Sequence, residues 1–284
     1  MFELKIENEK KQILTLSQNE SNYQIISITG LNPPKATINT IKSANKDGSS
    51  FNSSFLEERN IVLTVGIVGD VAKNRLKLYE FLGSGSYCKI YYNNGLRDVY
   101  CEGHIEQIET DLFAMLQQVQ ISILCEDPFL YALNQIYVDI SKLFRNFEFP
   151  FSIESEGKEI SIINVNRRTE ILNLGEPTGI EIKLFINNDV TVSNPVIYNA
   201  NSGEFFKLKT ELNKGDVILI NTNKGKKSIK KIVDGIEQNI INSLESGSTW
   251  FLLNTGLNVF TYSADTNQSL LFVEFNYNVV YKGV

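Results

Sequence analysis

Polar and apolar residues alternate with period two along most of the chain, the signature of half-buried β-strands. Phe2-Glu3-Leu4-Lys5-Ile6-Glu7 opens with it, and Arg59 to Val68 places Ile61, Leu63, Val65 and Ile67 on one face. Val119, Ile121, Ile123 and Cys125 alternate with Gln118, Gln120 and Ser122 in the same way. Tyr87–Tyr92 and Leu96–Cys101 flank Asn93-Asn94-Gly95, which reads as a hairpin because Asn-Gly supplies the positive φ of a tight turn. One stretch departs from this period. Asp70 is placed to cap a helix, Ala72, Leu76, Tyr79 and Leu82 follow helical spacing, and Gly83 suits a left-handed C-terminal cap. A flexible Gly83-Ser84-Gly85-Ser86 stretch follows, and a short helical turn is expected near Phe129–Asn134.

The second half repeats the β theme. Ile180, Ile182, Leu184 and Ile186 alternate with more polar neighbours. Asn201-Ser202-Gly203, Asn213-Lys214-Gly215-Asp216, Asn223-Lys224-Gly225 and Asn254-Thr255-Gly256 punctuate further strands at sandwich-like spacing. In the last strand Leu271, Val273, Phe275, Tyr277, Val279 and Tyr281 share a face, which predicts the spine of a sandwich sheet. The Asp127-Pro128 break and the polar stretch after Phe147-Glu148-Phe149-Pro150-Phe151 place a domain boundary near residue 147. The expected fold is mainly β, with domains at residues 1–146 and 147–284.

Composition narrows the function. A length of 284 residues suits two domains at about 150 residues each, large enough to need neither disulfides nor a structural metal. The apolar runs fall short of the roughly 20 residues of a membrane span, and the N-terminal residues lack a signal-peptide layout, so synthesis in a cytosol without membrane insertion is expected. A net charge of −6 and a pI near 5.1 argue against a nucleic-acid binder. Cys88, Cys101 and Cys125 have neither disulfide-framework nor zinc spacing and read as small hydrophobes on strands.

A search for chemistry assembles little. The single histidine, His104, lies three residues from Cys101, on opposite faces of a strand, and Glu102, Glu106 and Glu109 around it match no metal-ligand spacing. Gly225-Lys226-Lys227-Ser228 resembles the end of a phosphate loop, but Ile220 stands where the earlier glycine is required, so Lys224–Lys231 is read as a solvated hairpin tip, with an acidic partner as the alternative. Gly83-Ser84-Gly85 follows a helix instead of preceding one, unlike a dinucleotide loop. The carboxylate pairs Glu57-Glu58 and Glu109/Asp111 are of a kind common in any acidic protein. No catalytic, cofactor or metal residue is assigned. Trp250, within Trp250-Phe251-Leu252-Leu253, and Tyr262 are the candidates for stacking on a sugar, with core packing as the alternative for Trp250.

The segment Val119–Phe129, ending Cys125-Glu126-Asp127-Pro128-Phe129, resembles the end of the N-terminal domain of the siphophage distal tail (Dit) proteins. Ile28-Thr29-Gly30-Leu31-Asn32-Pro33-Pro34, Asp47-Gly48, Arg59-Asn60-Ile61 and Phe147–Phe151 follow in the family's order. Asn173–Thr178, Leu212–Asp216 and Leu253–Asn258 are similar to motifs of its second domain. Many relatives carry an aromatic residue where this chain has Leu130. The resemblance implies a tail-tube-like N-terminal β-sandwich with one flanking helix and a galectin-like C-terminal sandwich. It further implies a homohexameric ring at the virion tail tip, joining the tail tube protein to the baseplate hub or tail-associated lysin around a channel for DNA. A receptor-binding protein or host saccharide would be a further partner. Ring closure would also bury exposed strand edges, and its negative charge would keep DNA from sticking to the channel. The rival expectations are a carbohydrate-binding module for a host cell-wall saccharide and a cell-wall hydrolase.

Overall fold

The computed structural model describes residues 2–17, 22–45, 47–114, 116–140 and 168–284. In chain order the elements are β1 (Glu3–Asn8), β2 (Ile13–Leu16), β3 (Tyr23–Thr29), β4 (Ala36–Ile41), β5 (Ser50–Leu56), β6 (Arg59–Ile67), α1 (Val71–Phe81), β7 (Tyr87–Asn93), β8 (Asp98–Thr110), β9 (Gln118–Cys125) and β10 (Leu130–Ala132). They continue with β11 (Ile136–Asp139), β12 (Arg168–Asn173), β13 (Glu181–Phe185), β14 (Val192–Ser193), β15 (Val196–Asn199), β16 (Phe205–Lys207) and β17 (Glu211–Leu212). The last are β18 (Val217–Asn221), β19 (Ser228–Val233), β20 (Ile236–Asn239), β21 (Gly256–Ser263), β22 (Phe272–Tyr277) and β23 (Val280–Tyr281). The chain divides into two units: Met1–Leu133 with Val280–Val284, and Asn134–Val279. The junction expected near residue 147, with Phe147–Phe151, lies outside the described residues. Among those described, the chain passes from the first unit to the second after Leu133 and returns at Val280.

In the first unit one antiparallel sheet runs β2-β1-β7-β8-β9-β6-β3, with β10 attached to β8 and β23 to β10. The alternation read from the sequence is what the sheet buries: Leu4, Ile6, Ile61, Leu63, Val65, Val119, Ile121 and Ile123 are each at most 1% exposed. Bulges at Ile25/Ser27 and Ile105/Gln107 let the sheet curl, and its two edges meet where Ser17 bridges Gln24. The two layers of this unit are therefore two sides of one curled sheet. The first bulge also turns Ile26 outward, leaving it 52% exposed.

The helix forms where expected, with the Asp70 carboxylate accepting the Lys73 N–H at 3.3 Å. Its buried face is set differently. Asn74 and Leu78 face inward while Leu76 is 57% exposed, because Asn74 spends its polar groups internally: its Nδ2 donates to the Val68 carbonyl at 2.8 Å and its own carbonyl accepts from Tyr23 at 2.8 Å. A buried asparagine with partners conceals the helical stripe from a count of apolar positions. The left-handed turn after α1 falls at Gly85 (φ +83°), and the C-cap is Leu82 at φ −118°, so Gly83 is no left-handed cap. The helical turn expected at Phe129–Asn134 is instead β10, drawn into the sheet by pairing of Leu130 and Tyr131 with Tyr281 and Val280.

The second unit packs a six-stranded sheet (β11-β22-β13-β18-β19-β20) and a four-stranded sheet (β12-β21-β15-β16), with β14 and β17 as a small extra pair. Ile182, Leu184, Val273 and Phe275 line the first sheet's buried face, each at most 1% exposed. An aromatic chain links the two sheets: Phe206, Phe251, Phe260 and Phe275 follow one another at centroid separations of 6.2, 5.4 and 5.0 Å, in edge-on or tilted contact. The long terminal strand breaks in two at Asn278–Val279; β22 belongs to this unit and β23 to the first, and Val279 and Val280 are both buried (7 and 3% exposed). No helix among the described residues is long and apolar enough to cross a membrane.

Candidate assembly surfaces and the Arg59 junction

Arg59 opens β6 and is 2% exposed. Its guanidinium is held by backbone carbonyls. Nε and Nη2 donate to Pro128 O at 2.9 and 2.7 Å, Nη1 donates to Asn32 O at 2.9 Å and to Gly30 O, and Nη2 also donates to Lys282 O at 2.6 Å. Burial pulls its pKa below the ordinary arginine value, with neighbouring Cys101, Cys125 and Asp127 acting the other way; the side chain is nonetheless charged at any physiological pH. Three segments distant in sequence thus converge on one planar fork of donors. Gly30 is fitted to the place: its φ is +88°, and a Cβ there would lie 2.1 Å from the Asn60 carbonyl oxygen. The returning tail is fixed further by Val284 N–H donating to Leu31 O at 3.2 Å, Arg97 donating to Gly283 O at 2.5 Å, and the Arg97 guanidinium lying 4.3 Å from the Tyr281 ring centre. Gly30–Pro34, Arg59–Ile61 and Asp127–Pro128, three motifs that carried the family resemblance, are the parts of this junction. Sequence reading left out the arginine's role, since carbonyl partners leave no trace in residue identity.

The sequence-predicted candidates are scattered. Tyr262 lies in β21, 2% exposed and paired with Ile197, so its ring offers no face to a sugar from solution; this corrects its assignment as a stacking candidate. Trp250 is half-buried, edge-on to Phe206 at 5.1 Å, with the Lys227 ammonium 5.6 Å from its ring centre. His104 is half-exposed on β8, with Nδ1 3.7 Å from a Glu126 carboxylate oxygen. Glu57 is engaged by Lys35 at 3.1 Å and by the Thr37 hydroxyl, and both hold its carboxyl below the usual range. Glu109 accepts from Gln107 at 2.6 Å, and Asp111 accepts the Phe113 N–H at 3.2 Å. Gly225 to Ser228 lies at the β18–β19 turn; further along β19, away from that turn, Lys230 pairs with Glu237 of β20 and Lys231 with Asp216. Among the described residues no group of three or more His, Cys, Asp or Glu side chains is placed to hold a metal ion.

The thiols are interior. Cys88, Cys101 and Cys125 are 0, 2 and 0% exposed, and the Cys101 and Cys125 sulfurs are 4.0 Å apart. Burial pushes the Cys88 thiol up to about 12, and the Cys125 contact together with burial holds Cys101 well above its ordinary value. Reactivity requires an accessible thiolate. At pH 8 the native protein is expected to give no thiol signal with a disulfide reagent such as DTNB over minutes, and the unfolded protein the full complement of three cysteines. Titration of one thiol before unfolding would contradict this packing.

The most conspicuous exposed element is the hairpin of β4 and β5, a sheet of two strands that pair only with each other. Ile38, Ile41, Phe51 and Phe55 on it are 63, 58, 67 and 58% exposed. Isolated two-stranded hairpins are marginally stable in water, and exposed apolar clusters mark contact surfaces.

A curled β-sheet unit whose junction locks the returning chain, a second unit of packed sheets and an apolar hairpin exposed among the described residues define a mainly β protein of two units. Two family models match in tandem: the phage tail protein RIFT-related domain over residues 12–125, and the siphovirus-type tail component, C-terminal domain, over residues 176–281. The chain belongs to the siphophage distal tail proteins and is a structural component of the phage tail tip. Among solved structures, the Dit protein of phage SPP1 superposes with a TM-score of 0.68 at 14% identity, over 97% of this chain and 98% of that one. A chain of the phage P2 baseplate in its calcium-activated conformation matches with a TM-score of 0.52 at 12% identity over the full length of both. No curated protein matches the sequence.

Proposed function

We propose that six copies of this chain close into a ring at the tail tip, joining the tail tube to the baseplate hub or tail-associated lysin around an open channel, with no catalytic turnover. The N-terminal half is assigned the ring and the C-terminal half a galectin-like role. The observation that carries this reading is the tandem family match together with a fold shared end to end with SPP1 Dit, described as a paradigm of the hub adsorption apparatus in phages infecting Gram-positive bacteria. The bare hairpin of β4 and β5 supports it, since an apolar element of this kind is expected to be covered in the assembled state. The test is light scattering of the full chain with negative-stain imaging of the same peak. Hexameric particles with a central hole are expected; a monomer that stays single when mixed with its tail tube protein at high concentration contradicts the reading.

A further inference from the structure

Lys224–Lys231, at the β18–β19 turn of the second unit, holds five lysines and no acidic residue in a chain whose net charge is −6. Lys230 and Lys231, on β19, are paired with Glu237 and Asp216 at 2.8 and 2.9 Å. Lys224, Lys226 and Lys227 are exposed on the turn itself, and none of the three has a carboxylate partner among the described residues. Glu181, which β13 places opposite Asn221 at the foot of this turn, is engaged instead by the Asn221 and Asn276 amides at 3.2 Å each. Like charges crowded on one tip raise the local concentration of anions.

The backbone under these lysines is braced. Thr222 is fully buried and its hydroxyl accepts the Ile180 N–H at 2.8 Å, while the Lys226 N–H donates to Asn223 O at 3.0 Å. Gly179 packs so tightly on the turn that a Cβ there would meet Asn223 Cα at 2.4 Å. Its neighbour Thr178 exchanges both backbone hydrogen bonds with Leu253, at 3.1 and 2.8 Å. Thr178-Gly179 therefore fastens the turn and the Trp250–Leu253 segment to the same place.

Trp250 is the chain's single tryptophan. Its half-buried ring is supported edge-on by Phe206 at 5.1 Å, and the Lys227 ammonium lies 5.6 Å from its centre. A partly open indole beside a row of cations suits a ligand with an apolar C–H face and negative groups close to it. A neutral sugar would leave the lysines unopposed, and a bare polyanion would leave the indole unused.

We propose that the β18–β19 turn and Trp250 form a binding site for an acidic saccharide, whose sugar ring packs on the indole while its phosphate or carboxylate groups meet Lys224, Lys226 and Lys227. The site lies within the second unit and is independent of ring closure, so a chain that stays monomeric is expected to bind as well per copy.

Because Trp250 is the only indole, its fluorescence reads this site without a label. The full-length protein is titrated with oligogalacturonate (carboxylate), maltohexaose phosphorylated at O6 (phosphate), unmodified maltohexaose (neutral) and inorganic tripolyphosphate (charge alone). At least one acidic oligosaccharide is expected to shift the Trp250 emission saturably, more weakly as salt rises; which of the two does so identifies the acidic group. Maltohexaose and tripolyphosphate should bind roughly tenfold more weakly or worse. Lys224→Gln/Lys226→Gln/Lys227→Gln changes only exposed positions, so it should fold normally and lose roughly tenfold or more in affinity. Lys10→Gln/Lys73→Gln/Lys77→Gln, with the same net charge but altered at exposed positions of the first unit, should bind like the parent. No saturable response to either acidic sugar, tripolyphosphate binding as tightly as the better sugar, or a turn variant that binds like the parent overturns the proposal and leaves the lysines a solvated tip.

Discussion

Replacing Arg59 by methionine is expected to lower the stability of the first unit by about 3–5 kcal/mol, seen as a fall of about 10 °C or more in its melting transition. Methionine roughly preserves volume, so the loss isolates the donors. Gly30, Asn32, Pro128 and Lys282 would each be left with a carbonyl that no longer receives the guanidinium. Arg59→Lys should recover only part of the loss, because a compact ammonium with three donors cannot span carbonyls arranged around a planar fork. Hydrogen exchange supplies a local readout: the Val284 amide, bonded to Leu31 O, should lose protection along with the global change. A methionine variant that melts within a degree or two of the parent would show the junction to be incidental.

Gly30→Ala is expected to be comparably damaging for a different reason. At φ +88° an alanine is strained, and its Cβ would meet the Asn60 carbonyl oxygen at 2.1 Å. That obstacle is main chain of β6 and cannot swing aside as a side-chain tip would. Strain and overpacking together amount to about 3–5 kcal/mol. Since Gly30 O also accepts from Arg59, the two substitutions share a partner, and the double variant should lose less than the sum of the singles. Denaturant titrations of the four proteins in the cycle check this; strict additivity would mean that the clash at Asn60 and the Arg59 bonds are unrelated.

The strands were legible in the sequence wherever one face met the core, because burial enforces a period of two: β6, β9 and β13 follow the alternation closely, and the Asn-Gly turn between β7 and β8 sits where its dipeptide put it. What escaped is what depends on distant partners. Three residues at Leu130–Ala132 have no periodicity to show, and they become a strand by pairing on one side with Tyr100 and Val99 of β8 and on the other with Tyr281 and Val280, which arrive from the other end of the chain. The face of α1 was misplaced because its inward position is an asparagine. Tyr262 looked available because alternation alone cannot say which face of β21 is covered. The Dit resemblance was legible as an ordered set of weak motifs, and the structure supplies the physical reason several of them travel together: they are the donor and acceptors of one buried cluster.

The return of Val280 to the strand beside Tyr131 gives the chain the connectivity of a loop insertion, with residues 134–279 entering and leaving through a single doorway on the first unit. Insertions between neighbouring points of a folded scaffold are well tolerated, because the scaffold's own pairing does not depend on what lies between them. The intervening unit is thus an exchangeable cassette. A module of another shape placed between Leu133 and Val280 would leave the scaffold its sheet and its arginine lock, since the bonds of both lie within the first unit.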